Sequence, residues 1–235
     1  LFNLRRTFGH IGLWRSRRGA MSATAFRNAT RLFTLVFGRA ELTAVKISQS
    51  YFGAGRFVGD EMGETEDGCR LVSRGESVAH RPGYELPLGR PVDAGRWFET
   101  RSERQWRPLP PCVSELRVAE ADDGFDLTYR TLDGMPGVLA QIALDFPPGG
   151  IWETRDGCFR PQAGQVIFLK RGRGAMRYGQ DTIEIGPGSY AHRMWAMRDA
   201  ESAPEHVRVL LTFVTPVAHT LHIRCAHGVA AVTGG

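Results

Sequence analysis

The sequence holds almost no lysine: 28 of its 30 basic residues are arginine, the exceptions being Lys46 and Lys170. Between residues 81 and 191 it holds no histidine. Its four cysteines, Cys69, Cys112, Cys158 and Cys225, form no CxxC pair and no Cys/His cluster. A structural zinc site needs such clustering, so none is expected. Two disulfides are compatible with four cysteines but not required at this chain length. No apolar run reaches the roughly 18 residues of a membrane helix. The longest, such as VLLTFV at Val209–Val214, are strand-length. GxSxG, HExxH and paired carboxylates in a helical frame are all absent. RGRG at 171–174 lies between two strand patterns, so no helix N-terminus follows it to receive a phosphate. The acidic run GDEMGETEDG, Gly59–Gly68, lacks the spacing of a calcium loop.

Charge is unevenly distributed. Residues 1–46 carry nine basic residues and a single acid, Glu41, for a net +8, while the remainder is net −3. The pI near 9.3 thus belongs to the N-terminal segment and says little about the rest. The chain opens LFNLRR, without methionine, and reads as a piece of something longer. Residues 1–48 read as a basic helical extension. Phe26, Phe33 and Phe37 fall near one helical stripe, with Ser22 as N-cap and Gly38 as terminator. Such an extension could dock on an acidic domain or chain. Nucleic acid is not the expected partner.

Residues 49–113 are rich in Gly, Pro, Arg and Glu. They read as an irregular bridge packing on a sheet, with short strands at Arg70–Ser73, Ser77–His80 and Trp97–Thr100. From Ser114 the pattern turns to strands at regular spacing, separated by ADDG, LDGMPG, FPPGG, YGQD and IGPG. The expected fold is therefore mainly β. An antiparallel sandwich or barrel over 114–226 follows the N-terminal helical extension, and a flexible tail occupies 227–235.

Two groups of side chains draw attention. The loop GESVAHRPGYELPLGR, Gly75–Arg90, gathers His80, Arg81 and Tyr84. Cleaving an acidic polysaccharide by elimination needs a base, a cation on the carboxylate and a Tyr or His acid, and these residue types supply them. The segment GPGSYAHRMW, Gly186–Trp195, carries Tyr190, His192, Arg193 and Trp195, read as a strand over 190–197. In the following strand Val207, Val209, Leu211 and Phe213 alternate with His206, Arg208, Leu210 and Thr212, so the second set faces away from the core. Tyr190, His192, Arg193, Trp195 and Arg208 are the candidate ligand-binding residues. No cofactor and no metal ligand set is expected. His219 and His222, three apart on a strand, point to opposite faces.

Gln165–Trp195, a hairpin ladder with a Pro-Gly turn and then His192, resembles the cupins. That likeness implies a small-molecule or metal-binding protein centred on His192. FPPGGIWE at 146–153, the closing LLTFVTPVAHTLHI at 210–223 and the strand cadence between them resemble the β-sandwich portion of heparinase II/III-type polysaccharide lyases. This second resemblance covers roughly Val45–Arg224. It implies a module that contacts or supports binding of an acidic polysaccharide. Any chemistry it implies is β-elimination, and the location it implies is periplasmic or secreted. The family's histidine-rich segment has its nearest counterpart in Gly75–Pro91, with one histidine.

Overall fold

The structure, a computed structural model, describes residues 3–53, 55–75, 84–197 and 200–228, with Tyr84 described for its backbone alone. It opens with a meander of five strands: β1 (Leu4–Phe8), β2 (Leu13–Arg18), β3 (Met21–Phe26), β4 (Phe33–Phe37) and β5 (Ala40–Gln49). β6 (Glu61–Thr65) and β7 (Gly68–Ser73) come next, then the short pair β8 (Tyr84–Glu85) and β9 (Trp106–Arg107). Three long strands follow: β10 (Cys112–Ala121), β11 (Gly124–Gly134) and β12 (Leu139–Phe146). The chain continues through β13 (Ile151–Thr154), β14 (Gly157–Phe159), β15 (Val166–Phe168), β16 (Gly174–Tyr178) and β17 (Asp181–Gly186), and ends on β18 (Val207–Val214) and β19 (Ala218–His227).

These strands form two large sheets. The first has eight strands in the order β1-β2-β3-β4-β5-β12-β18-β15; the second has nine, ordered β14-β13-β16-β17-β19-β11-β10-β7-β6. All pairings in both are antiparallel except β15 with β18, which is parallel. One hydrophobic core lies between the sheets. The mainly β expectation and the sandwich hold, but the helical N-terminal extension does not. Among the described residues there is no α-helix, only the two single 3-10 turns Ala94–Arg96 and Arg101–Glu103.

The reason lies in local sequence. Gly19 and Gly38, at φ +54° and +56°, open two-residue turns that join β2 to β3 and β4 to β5. A positive φ at the first turn position matches the twist of a hairpin and favours glycine. Around them the apolar residues alternate. Phe33, Leu35 and Phe37 are buried, whereas Thr34 and Val36 face out. Phe26 follows buried Ala25 and so points to the opposite face from Phe33. The helical stripe drawn through these phenylalanines does not exist in space.

The meander supplies one wall of the core. Trp14 and Phe33, both fully buried, meet Phe125 of the other sheet edge-on, with ring centroids 6.3 and 5.4 Å away. Each such side chain contributes on the order of 1.5–3 kcal/mol through burial. Within the segment read as an irregular bridge, β6 and β7 extend the nine-stranded sheet. Arg70–Ser73 falls inside β7, Trp97–Thr100 sits between the two 3-10 turns, and Ser77–His80 lies outside the described residues.

Because Trp14 is a core residue, Trp14→Ala should lower unfolding stability by about 3–5 kcal/mol in a urea titration. A loss near zero would mean that the N-terminal meander does not pack against the nine-stranded sheet.

Candidate functional site

Alternation along the strands sets the outer face of the eight-stranded sheet. Val207, Val209, Leu211 and Phe213 belong to the core, while Arg208, Leu210 and Thr212 point outward. The register aligns Arg208 with Asp145 and Thr212 with Gln141 on β12, and Asp145 in turn with Ala44 on β5. These outward side chains are nevertheless buried, Arg208 at 7% and Asp145 at 2% exposure. Residues 189–197 and 200–206 cross over them.

That covering segment is where the strand expected at 190–197 fails. It makes only an isolated bridge, Tyr190 with Thr212. β15 occupies the edge of β18 at Arg208–Leu210 and Ser189–Ala191 pair with it at Thr212, so β18, which ends at Val214, offers little edge to 192–197. The segment begins at Gly188, where a Cβ would fall 2.4 Å from the Leu169 carbonyl oxygen, so only glycine allows the approach. Thr212 then clamps it: its Oγ1 donates to the His192 carbonyl at 2.7 Å and accepts from the Ala191 and His192 amides at 3.1 and 3.2 Å. Gln141 Nε2 donates to the Met194 carbonyl at 3.1 Å.

Beneath the segment, Arg208 forms a two-pronged pair with Asp145, Nε to Oδ1 at 2.7 Å and Nη2 to Oδ2 at 2.8 Å. Its remaining terminal nitrogen, Nη1, donates to the Glu201 carbonyl. Lys46 Nζ stands 3.0 Å from Glu201 and 3.7 Å from Asp145, and Arg56 is 3.7 Å from Glu201. Burial alone would raise the Glu201 carboxyl. The Lys46 ammonium, the Thr30 hydrogen bond and the Arg56 charge outweigh it and hold the pKa below the ordinary 4.5. Lys46, Arg56 and Arg208 thus meet the carboxylates of Asp145 and Glu201.

The sequence-predicted residues meet different fates in this frame. His192 is consumed by backbone. Its Nδ1 accepts from the Met194 amide at 3.3 Å, which places the proton on Nε2, and Nε2 reaches the Ala140 carbonyl at 3.0 Å. No lone pair is left for a metal, and among the described residues no group of three His, Cys, Asp or Glu could hold one. Tyr190 packs edge-on against Phe168, and Lys170 Nζ sits 4.7 Å above its ring. Arg208 is locked in its pair. Arg193 and Trp195 are exposed, Trp195 at 66%, with no carboxylate, ring or cation partner among the described residues. His80 and Arg81 lie outside the described residues, and of Tyr84 only the backbone pairing with Arg107 is described. His219 and His222 do take opposite faces. His219 stacks on core Phe213, while His222 Nδ1 lies 2.8 Å from Asp126.

Two hollows flank residues 200–204. One, of about 280 Å³, is bounded by Trp195, Met197, Gly164, Val166 and Arg208. The other, of about 400 Å³, is bounded by Arg31, Thr43, Lys46, Asp145 and His206. Lys46, Asp145 and Glu201 were not singled out from sequence. The legible signal for Asp145 is its place in LAQIALDF, a carboxylate on the outward phase of an otherwise apolar strand, matched by an outward arginine on β18.

Glu201 fastens the ridge between the hollows. Its folded pKa lies below the ordinary value, so its contacts stabilise the ridge fully above pH 4.5 and fade as acid protonates it through the lower folded value. Trp195 fluorescence should therefore change below about pH 4.5, and Glu201→Gln should abolish that transition. An unaltered acid transition in the variant would remove Glu201 from this role.

No family model matches the chain, and no curated protein matches it. Among solved structures, the 4-alpha-glucanotransferase from Thermococcus litoralis is similar over 96% of this chain and 41% of its own, with a TM-score of 0.43 and 11% identity. The chain therefore spans less than half the length of that enzyme. A likeness so slight carries no argument about activity.

Proposed function

We propose that this chain is the β-sandwich module of a carbohydrate-active protein of polysaccharide-lyase type, and that it holds an acidic polysaccharide on the outer face of its eight-stranded sheet. The observation that carries the reading is Trp195, 66% exposed at the rim of the first hollow. An exposed indole face suits the apolar C–H face of a sugar ring, because its π-cloud is negative and the C–H edge is positive. Convergent polar groups beside such an apolar surface are what fix a ligand's orientation. In the neighbouring hollow, where Lys46 is paired with Glu201 and Asp145 and where Glu205 also lies, Arg31 is the cation that would meet a uronate or sulfate.

The resemblance to heparinase-type sandwiches agrees with a supporting role. No bond-breaking step is assigned to this chain, since His80, Arg81 and the Tyr84 side chain carry no described geometry. Nothing favours the His192-centred alternative, whose ring nitrogens are both engaged by the main chain.

Calorimetric titration with short uronate oligosaccharides tests the proposal. Trp195→Ala should weaken binding about tenfold, equivalent to about 1.4 kcal/mol. The absence of heat with both uronate and neutral oligosaccharides would defeat it.

A further inference from the structure

Only half of the outer face of the eight-stranded sheet is covered. Over β1 and β2 it is exposed among the described residues, and the basic excess of the N-terminal segment is displayed there. Register places Arg6 opposite Arg15, and Arg15 opposite Thr24, which faces Thr34. One step along β2, on the same face, Arg17 lies beside Ser22 and Leu4. Arg5 and Arg18 have the other phase and turn toward Glu120 of the second sheet. Arg6, Arg15 and Arg17 are exposed, and no carboxylate lies within 4.0 Å of any of them among the described residues. Arg15 Nη2 donates only to the Ser22 hydroxyl, at 3.2 Å.

Like charges directly opposed on neighbouring strands repel. Strands lie about 4.8 Å apart and alternate residues along a strand about 6.7 Å apart, so these guanidiniums crowd one another. A bound row of oxyanions would relieve that repulsion, and each planar fork suits a carboxylate or sulfate. The next row on the same face is Phe8, Leu13 and Phe26. Arg31 lies over Phe26 with its guanidinium 5.4 Å from the ring centre, and Arg31 also lines the second hollow. Arg31 thus links the exposed face to the second hollow across this apolar row.

We infer that β1–β3 form an anion track that carries a linear acidic polysaccharide across the strands into the hollows beside Trp195, so that the full ligand is a polymer and not an oligosaccharide. The distance from β1 to β5 is roughly 19 Å, four strand spacings. A ligand shorter than this cannot touch both regions. Hydroxyls of the half-buried Ser22 and Thr34 line the way and suit a sugar backbone. Duplex nucleic acid is read by an inserted helix or ribbon, and this face is a continuous sheet. Single strands need successive free ring faces for stacking, and along the track itself Arg6 covers Phe8 at 5.2 Å and Arg31 covers Phe26, which leaves Trp195 alone at its end. The identity of the ligand rests on the proposed function; the existence of the track is tested apart from it.

The test uses the whole chain with polygalacturonate and heparin, each as long chains and as disaccharides, at several salt concentrations. Arg15→Gln with Arg17→Gln should weaken long-chain binding tenfold or more. It should also reduce the salt slope by about one per arginine, and leave disaccharide affinity and thermal stability unchanged. Trp195→Ala should weaken disaccharide and long chain alike. Unchanged long-chain affinity and slope in the arginine variant would overturn the track while leaving the Trp195 site standing. A tryptophan variant without effect on disaccharides, beside an arginine variant that fails on long chains, would instead retain the track and remove the proposed site. Equal binding of single-stranded DNA or anionic lipid vesicles at matched charge would overturn the assignment to polysaccharide.

Discussion

A buried ion pair organises the functional face of this protein. Asp145 and Arg208 stand on the outer side of a sheet, where water would ordinarily solvate them, and are almost wholly covered. Withdrawing two such charges from water costs several kcal/mol each, and the mutual attraction returns roughly what desolvation removes. The pair therefore adds little net stability. What it fixes is geometry. Two nitrogens of the guanidinium are committed to the carboxylate, and the third reaches out to the Glu201 carbonyl. The covering segment is held at that point, and the hollows on either side of 200–204 exist because it is held.

From that constraint the two halves of the outer face acquire different characters. Over β5, β12 and β18 the chain folds back on its own sheet, satisfies buried polar groups through Thr212 and Gln141, and leaves Trp195 outside. Over β1 and β2 the face is exposed among the described residues, and Arg6, Arg15 and Arg17 stand there without carboxylates. One half offers a shaped recess with an aromatic rim and the other an open charged plane. Lys46 and Arg31 lie at the border between them.

Much of this was legible in the sequence, and the failures are instructive. The strands of the second half follow from period-2 alternation, and Val207–Phe213 divides its residues between core and outer face as that period dictates. The N-terminal meander was misread because Phe26, Phe33 and Phe37 happen to fall near a helical stripe. The hairpin glycines 19 and 38, each flanked by alternating residues, carried the better signal. The segment 190–197 alternates like a strand but finds little edge to join, a tertiary fact no local pattern records. His192 looks like a ligand because a hairpin ladder and a Pro-Gly turn precede it as in the cupins, yet its ring serves as a bracket between two backbone groups. The Asp145–Arg208 pair joins residues 63 apart, and only the register of β12 on β18 reveals it.

Hydrogen exchange read by mass spectrometry tests the central claim most directly, by comparing the native chain with the double variant Asp145→Leu, Arg208→Leu. Replacing a buried pair by apolar side chains of similar size leaves a fold intact, but it removes the hook on Glu201. The amides of Ala200 and His206, bonded to Met197 and Ala203 carbonyls, should then exchange far faster, while those of β2–β4 keep their protection. Unchanged protection across 200–206 in a folded double variant would show that the segment holds itself, and the account built on the pair would be contradicted.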